Sequence, residues 1–149
     1  MIRCIGGIIG PAPSNIEKPM TLAEKPRPAD PQGDLQHLTE AILAFRDARD
    51  WKQFHSLRHL IVSLNLEAAE LLELTQWQSD ADMVARVADP AGREALADEC
   101  ADVLLYLLLV AAEAGIDLKA AALAKIRKND AKYPVEKSRG SSRKYTELE

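Results

Sequence analysis

The stretch Leu57-Arg-His-Leu60-Ile-Val-Ser-Leu64-Asn-Leu-Glu67-Ala-Ala-Glu70-Leu71-Leu-Glu-Leu74 decides the fold. Leu57, Leu60, Leu64, Leu71 and Leu74 fall at spacings of three, four and seven, which line one side of an α-helix. Glu67 sits on that stripe where a leucine is expected, and Glu70 lies beside it, one turn on. A second stretch repeats the anomaly. Around Leu96, Val103, Leu107 and Val110, Glu99 stands on the stripe and Asp102 next to it. Each pair is a two-carboxylate claw on one helix. Four carboxylates aimed at a bundle interior are prohibitive unless a cation lies among them. A hard divalent ion held by oxygen is the simplest such cation.

The rest of the chain reads outward from these helices. At 149 residues, 47% hydrophobic and 28% charged, it suits one soluble globular domain with a real core. The longest apolar run, Val103 to Ala112, would span about 15 Å as a helix, half a bilayer core, so no membrane span is expected. Met1 to Gly10 has one arginine and a short apolar patch broken by glycines, too weak for a signal peptide. Cys4 and Cys100 have neither metal-site spacing nor a disulfide framework, which suits reduced thiols in the cytoplasm.

The net charge of −4 is unevenly spread. Between Lys125 and Lys144 stand eight Lys/Arg against Asp130 and Glu136, leaving an acidic body with a basic end. A generic nucleic-acid binder would be basic overall and richer in exposed aromatics. An acidic body with a basic end suits metal ions together with a small polyanion. It equally fits a solvated lysine-rich tail.

Residues 1–33 hold six of the eight prolines and no helical period, and are expected to be a disordered extension. From Asp34, a good helix cap, Leu35, Leu38, Ile42 and Phe45 predict a helix to about Asp50. A connector, Trp51 to His55, leads to Ser56, the N-cap of a second helix from Leu57 to about Gln78. A polar loop ending at Asp89-Pro90-Ala91-Gly92 separates it from a third helix, Arg93 to Ala114, stopped by Gly115. Asp117 caps a fourth, Leu118 to about Lys132, which Pro134 ends. The expected architecture is all-α, a four-helix bundle over residues 34–134, with 135–149 a flexible basic tail.

One E-x-x-E pair in a chain with 23 acidic residues usually faces solvent. Two pairs aligned with the apolar stripes of successive helices are a stronger signal. Oxygen ligands without Cys or His suit Mg²⁺, or Mn²⁺, rather than zinc. A di-iron bundle would need Glu-x-x-His, absent here. Glu73 and Glu113 lie off the stripes and are read as solvated. His55 is read as a polar group near a pocket mouth, His59 as structural, and His37 has no evident partner. Mg²⁺ with open positions engages phosphate oxygens, and a triphosphate would need both metal and cations such as Lys125. Lys125, Asn129 and Tyr133 recur every four residues on one helix face, which is also how an ordinary solvated face looks. Trp51 and Trp77 flank the second helix as platforms for a base, or as lids on the core. Tyr106, one turn after Asp102, either orients an oxygen or simply packs.

These residues carry a resemblance. Arg49-Asp-Trp-Lys-Gln-Phe-His55, Leu66-Glu-Ala-Ala-Glu-Leu-Leu-Glu-Leu74 with Gln76-Trp77, and Asp98-Glu-Cys-Ala-Asp-Val-Leu-Leu-Tyr106 resemble the MazG-like all-α nucleotide pyrophosphohydrolases, above all their dCTP pyrophosphatase branch. Lys125-Ile-x-x-Asn129-x-x-x-Tyr133-Pro134 and Ser138-Arg-Gly-Ser-Ser-Arg-Lys-Tyr145 extend the match over about residues 35–146. The resemblance implies Mg²⁺-dependent hydrolysis of a nucleoside triphosphate between the α and β phosphates, by a homo-oligomer, a dimer or tetramer. It implies Glu67, Glu70, Glu99 and Asp102 as catalytic metal ligands, with Glu67 favoured to polarise the attacking water. It further implies Lys125, Asn129 and Tyr133 on phosphates or sugar, and Trp51, His55 and Trp77 around the base, with Arg58 and Tyr106 in the same pocket. Leu57 and His59 around Arg58, and Thr75, depart from the family's usual Pro, Asn and Phe, which bears on base preference more than on the reaction. The rival expectations are a non-catalytic helical oligomerisation module, and a dUTPase-like or phosphoribosyl-ATP hydrolase of the same superfamily.

Overall fold

The computed structural model describes residues 33–147, and among these every regular element is helical. The proline-rich extension expected over residues 1–33 falls almost wholly outside them, as does the side chain of Asp34 and with it the predicted cap. The elements are α1 (Gly33–Asp47), a 3-10 turn (Trp51–Phe54), α2 (Leu57–Glu73), α3 (Asp80–Ala88), α4 (Pro90–Glu113), α5 (Leu118–Lys132), α6 (Val135–Ser138) and a final 3-10 turn (Tyr145–Glu147). They divide into two compact units, one ending at Val110 and one from Ala111 onward, with α4 running from the first into the second.

Several boundaries follow from capping chemistry. Ser56 caps α2 by accepting from the His59 amide at 3.3 Å, and Asp117 caps α5 by accepting from the Ala120 amide at 2.8 Å. Gly115, at φ 64°, closes α4. Its amide donates to the Ala112 carbonyl and that of Ile116 to Ala111, the paired bonds that end a helix on a left-handed residue.

Two expectations need correction. Helix α2 stops at Glu73 rather than Gln78, because the chain turns through Leu74–Trp77 and Trp77 itself takes the left-handed conformation, φ 61°. The polar loop expected before Gly92 instead contains α3. Ser79 and Asp82 form a reciprocal capping box, each side chain bonded to the other's backbone amide, at 3.3 and 2.9 Å. The next helix then begins at Pro90, whose missing N–H costs nothing in a first turn. Gly92 is required here, since a Cβ would overlap the Arg86 carbonyl oxygen as α3 passes the start of α4. Within residues 135–149, expected as a flexible basic tail, stand α6 and the last 3-10 turn.

In the first unit the deeply buried apolar residues are Ile42 of α1, Leu60 of α2, and Tyr106, Leu108 and Leu109 of α4. In α4 the buried side is marked by Asp102, Tyr106 and Leu109, while Leu96, Val103, Leu107 and Val110 are only half-buried. Apolar residues run all round this helix from Val103 to Ala112, so apolarity alone does not choose the inner face. On α2 the inner face holds Leu60 and Glu67, with Leu64, Leu71 and Leu74 half-buried, but Leu57 is exposed. The opposite side of α2 is also apolar and open: Ile61, Val62, Leu66 and Leu72.

Candidate metal centre

Glu67 and Glu70 stand one turn apart on α2, Glu99 and Asp102 one turn apart on α4, and three of these four acids, Glu67, Glu70 and Glu99, come together. One carboxylate oxygen from each of Glu67, Glu70 and Glu99 lies within 4.8 Å of the others. Mg²⁺ ligand oxygens stand about 2.0–2.1 Å from the ion, so opposed ligands are about 4 Å apart. The three oxygens need shift only slightly to share a cation. Glu67 is 5% exposed and Asp102 9% exposed, Glu99 is half-buried, and Glu70 reaches solvent.

The electrostatics match an incomplete cation site. Burial pushes the Glu67 carboxyl above its ordinary value, and the negative charges of Asp102, Glu70 and Glu99 push it the same way. Glu67 Oε2 and Glu99 Oε2 are buried and accept no hydrogen bond among the described residues. A buried carboxylate oxygen without a donor is costly, and an all-oxygen set that a divalent cation would satisfy fits Mg²⁺ or Mn²⁺.

The remaining predicted residues fall into two groups. In the first unit, Tyr106 is buried one turn beyond Asp102 on α4. His55 is buried at the end of the 3-10 turn, just ahead of α2, whereas Arg58 is exposed on α2's first turn. His59 is exposed, with Nδ1 3.3 Å from the Phe54 carbonyl. Trp51 is half-buried. Trp77 is 92% exposed on its left-handed turn, so it does not close the core. Lys125, Asn129 and Tyr133 belong to the second unit, all exposed along α5 and its end. Tyr133 packs edge-on with Tyr145, ring centroids 5.9 Å apart, and Lys132 Nζ lies 4.9 Å over the Tyr145 ring.

The residues that hold Trp51, Phe45 and Arg49, are not among the predicted site residues. Phe45 of α1 meets it edge-on at 5.9 Å, and Arg49 lies over Phe45. Arginine and aromatic residues four apart at the end of a helix were the available signal. A cavity of about 490 Å³ opens between α3 and the start of α4, lined by Gln78, Asp82, Arg86, Asp89 and Gly92 among others. None of the four acids lines it.

Known proteins resemble this chain in sequence, and one solved structure resembles it in fold. Residues 62–148 match the MazG-like family. The chain is 42% identical over 118 residues to dCTP pyrophosphatase 1 of Homo sapiens and to that of Rattus norvegicus, covering 79% of this chain and 69% of each relative. With the Mus musculus protein of the same name it shares 40% over 126 residues, 85% of this chain and 74% of that one. The crystal structure of a pyrophosphatase from Archaeoglobus fulgidus aligns with a TM-score of 0.62 and 36% identity, covering 67% of this chain and 92% of that chain. Fold and relatives together define an all-helical enzyme, a hydrolase of phosphoric anhydrides. Within that class, the chain belongs to the MazG-like family.

Proposed function

We propose that this enzyme is a Mg²⁺-dependent nucleoside triphosphate pyrophosphohydrolase that cleaves between the α and β phosphates, releasing a nucleoside monophosphate and pyrophosphate. The observation that carries the reading is the convergence of Glu67, Glu70 and Glu99 within 4.8 Å, with donorless buried oxygens on Glu67 and Glu99. The substrate is a deoxypyrimidine triphosphate such as dCTP or a modified form, in line with the names of the curated relatives. The enzyme would then trim the nucleotide pool.

Glu67, Glu70, Glu99 and Asp102 would hold the metal, Mg²⁺ or Mn²⁺. When bound, it neutralises phosphate charge and makes a bound water more acidic. Glu67, the most buried of the four acids, is the group to take the proton of the attacking water. Tyr106, one turn from Asp102, orients that carboxylate. Lys125, Asn129 and Tyr133 bind phosphates or sugar, and the basic residues from Lys137 to Lys144 add charge of the right sign. Trp51, His55, Arg58 and Trp77 form the base pocket, with the rings as stacking surfaces.

The four long helices expected from sequence assemble as a bundle, and the bundle as a homo-oligomer, a dimer or a tetramer built from dimers. Support comes from α2, whose outer side exposes Ile61, Val62, Leu66 and Leu72, and from Trp77, almost wholly uncovered. Side chains of this size left open on one helix are what an association surface needs. No helix among the described residues is long and apolar enough to cross a membrane; the cytoplasm, where deoxynucleotides circulate, is the proposed location.

The test is pyrophosphate release measured over a panel of nucleotides with Mg²⁺ or Mn²⁺: dCTP, 5-modified dCTP, dUTP, the ribonucleotides and phosphoribosyl-ATP. Preference for a deoxycytidine nucleotide is expected. A dUTP or phosphoribosyl-ATP preference would move the enzyme to another branch, and no hydrolysis of any of them would remove the reading.

A further inference from the structure

The end of α1 is built around a cation and two rings. Phe45 meets Trp51 edge-on, with centroids 5.9 Å apart and planes at 74°. The Arg49 guanidinium carbon lies 3.5 Å from the Phe45 centroid and 5.8 Å from that of Trp51, within reach of both π systems. Its Nη1 also donates to the Phe45 carbonyl oxygen at 2.9 Å, which fastens the guanidinium to the last turn of the helix.

The chain reverses at Asp50, at φ 53° and ψ 33°, a left-handed conformation that a non-glycine residue adopts only against steric cost. Gln53 Nε2 holds it there, donating to the Asp50 carbonyl at 2.9 Å and to Asp50 Oδ2 at 2.8 Å. Yet the rings so ordered are not core: Phe45 is exposed and Trp51 half-buried. Ordering partly open rings contributes little burial free energy. It does fix the orientation of a surface on which something else can stack.

We propose that Arg49 is the positioning residue of the Trp51 indole and that, with Phe45, it sets the enzyme's affinity for the base rather than its rate of cleavage. The inference rests on the nucleotide reading above, in which Trp51 forms part of the base pocket. Arg49 does not touch the reacting atoms. It acts through the ring, and pre-ordering that ring removes part of the entropy lost when a base stacks on it.

The experiment uses the full chain. Two tryptophans are present, so Trp77→Phe leaves Trp51 as the sole reporter. In that background, Arg49→Met is expected to weaken the near-ultraviolet circular dichroism of Trp51 and raise its quenching by acrylamide, with far-ultraviolet helicity unchanged. In the otherwise native enzyme, Arg49→Met should raise the KM for dCTP roughly 3- to 10-fold while kcat stays within about 2-fold. Arg49→Lys, which keeps charge but not the planar stack, should fall between. Phe45→Leu should reproduce both effects should Arg49→Met fold poorly. Unchanged Trp51 signals in these variants would overturn the proposal, as would loosened signals with an unchanged KM, or an equal loss in kcat. A native chain that hydrolyses no nucleotide would remove the functional reading and the affinity role with it. Unaltered indole signals in an active enzyme would remove this inference alone.

Discussion

Replacing Glu67 with glutamine should make the metal-free protein more stable and the metal-loaded protein less so. The side chain keeps its size, and one negative charge leaves a cluster whose carboxylate oxygens lie within 4.8 Å. At that separation two unit charges repel by about 0.9 kcal/mol in water and about 3.5 kcal/mol at an effective dielectric near 20. Glu70 is exposed and Glu99 half-buried, so the relief lies toward the lower figure per pair, and ~1–3 kcal/mol in total is expected. For a domain of this size each kcal/mol is worth about 4 °C in melting temperature. In a chelator, then, Glu67→Gln should melt several degrees above the native protein. Because folding raises the Glu67 pKa, the native protein suffers from ionised Glu67 only as pH rises through that raised value, so the advantage should close below pH 4.5. With Mn²⁺ at about 100 times its dissociation constant, the native protein gains about 2.7 kcal/mol, and the variant, lacking a ligand, much less. Thermal unfolding followed by far-ultraviolet circular dichroism, with EDTA and then Mn²⁺, reads the crossing directly. A variant that melts lower in EDTA, or responds to Mn²⁺ as strongly as the native chain, would refute the reasoning.

Asp102→Asn should abolish pyrophosphate release, at least 100-fold down in kcat/KM, without loss of helicity, as far-ultraviolet dichroism and a dCTP assay would establish. Gly92→Ala forces a methyl group against the Arg86 carbonyl and should destabilise by about 1–3 kcal/mol in urea titration, with little change in KM. Ser79→Ala removes the α3 cap and should cost about 1 kcal/mol by the same titration. The hydrogen bonds from Ser79 hold Asp82 below its ordinary 3.8, so that carboxylate's contribution is intact above pH 3.8 and fades as pH falls through the lowered value; native-state hydrogen exchange of α3 amides would follow it. Ile61→Asp together with Leu66→Asp should shift the enzyme toward monomer in size-exclusion chromatography with light scattering, and an unchanged mass would count against α2 as the association face.

The acid pairs were legible because a carboxylate on a leucine stripe is an anomaly with few explanations, and their spacing survives any error in helix ends. The end of α2 was not, since Leu74 and Trp77 continue the apolar rhythm while the backbone at Trp77 turns left-handed. Helix α3 escaped notice because Asp80-Ala-Asp82-Met-Val-Ala-Arg86 looks like loop composition, and its cap uses Asp where Glu or Gln is usual. In α4 the inner face was misplaced by one position: a helix apolar all round carries no direction of its own, and the buried Asp102 and Tyr106 supply it. Sequence apolarity also overstated the core. Leu57 stands on the leucine stripe of α2, yet it lies open at the helix start.

Helix α2 has two characters, carboxylates gathered along one flank and bare aliphatic groups along the other. A neighbouring copy pressed against the aliphatic flank would stiffen the same rod that carries Glu67 and Glu70. If copies of the chain pair in this way, dilution should blunt metal capture and turnover in step.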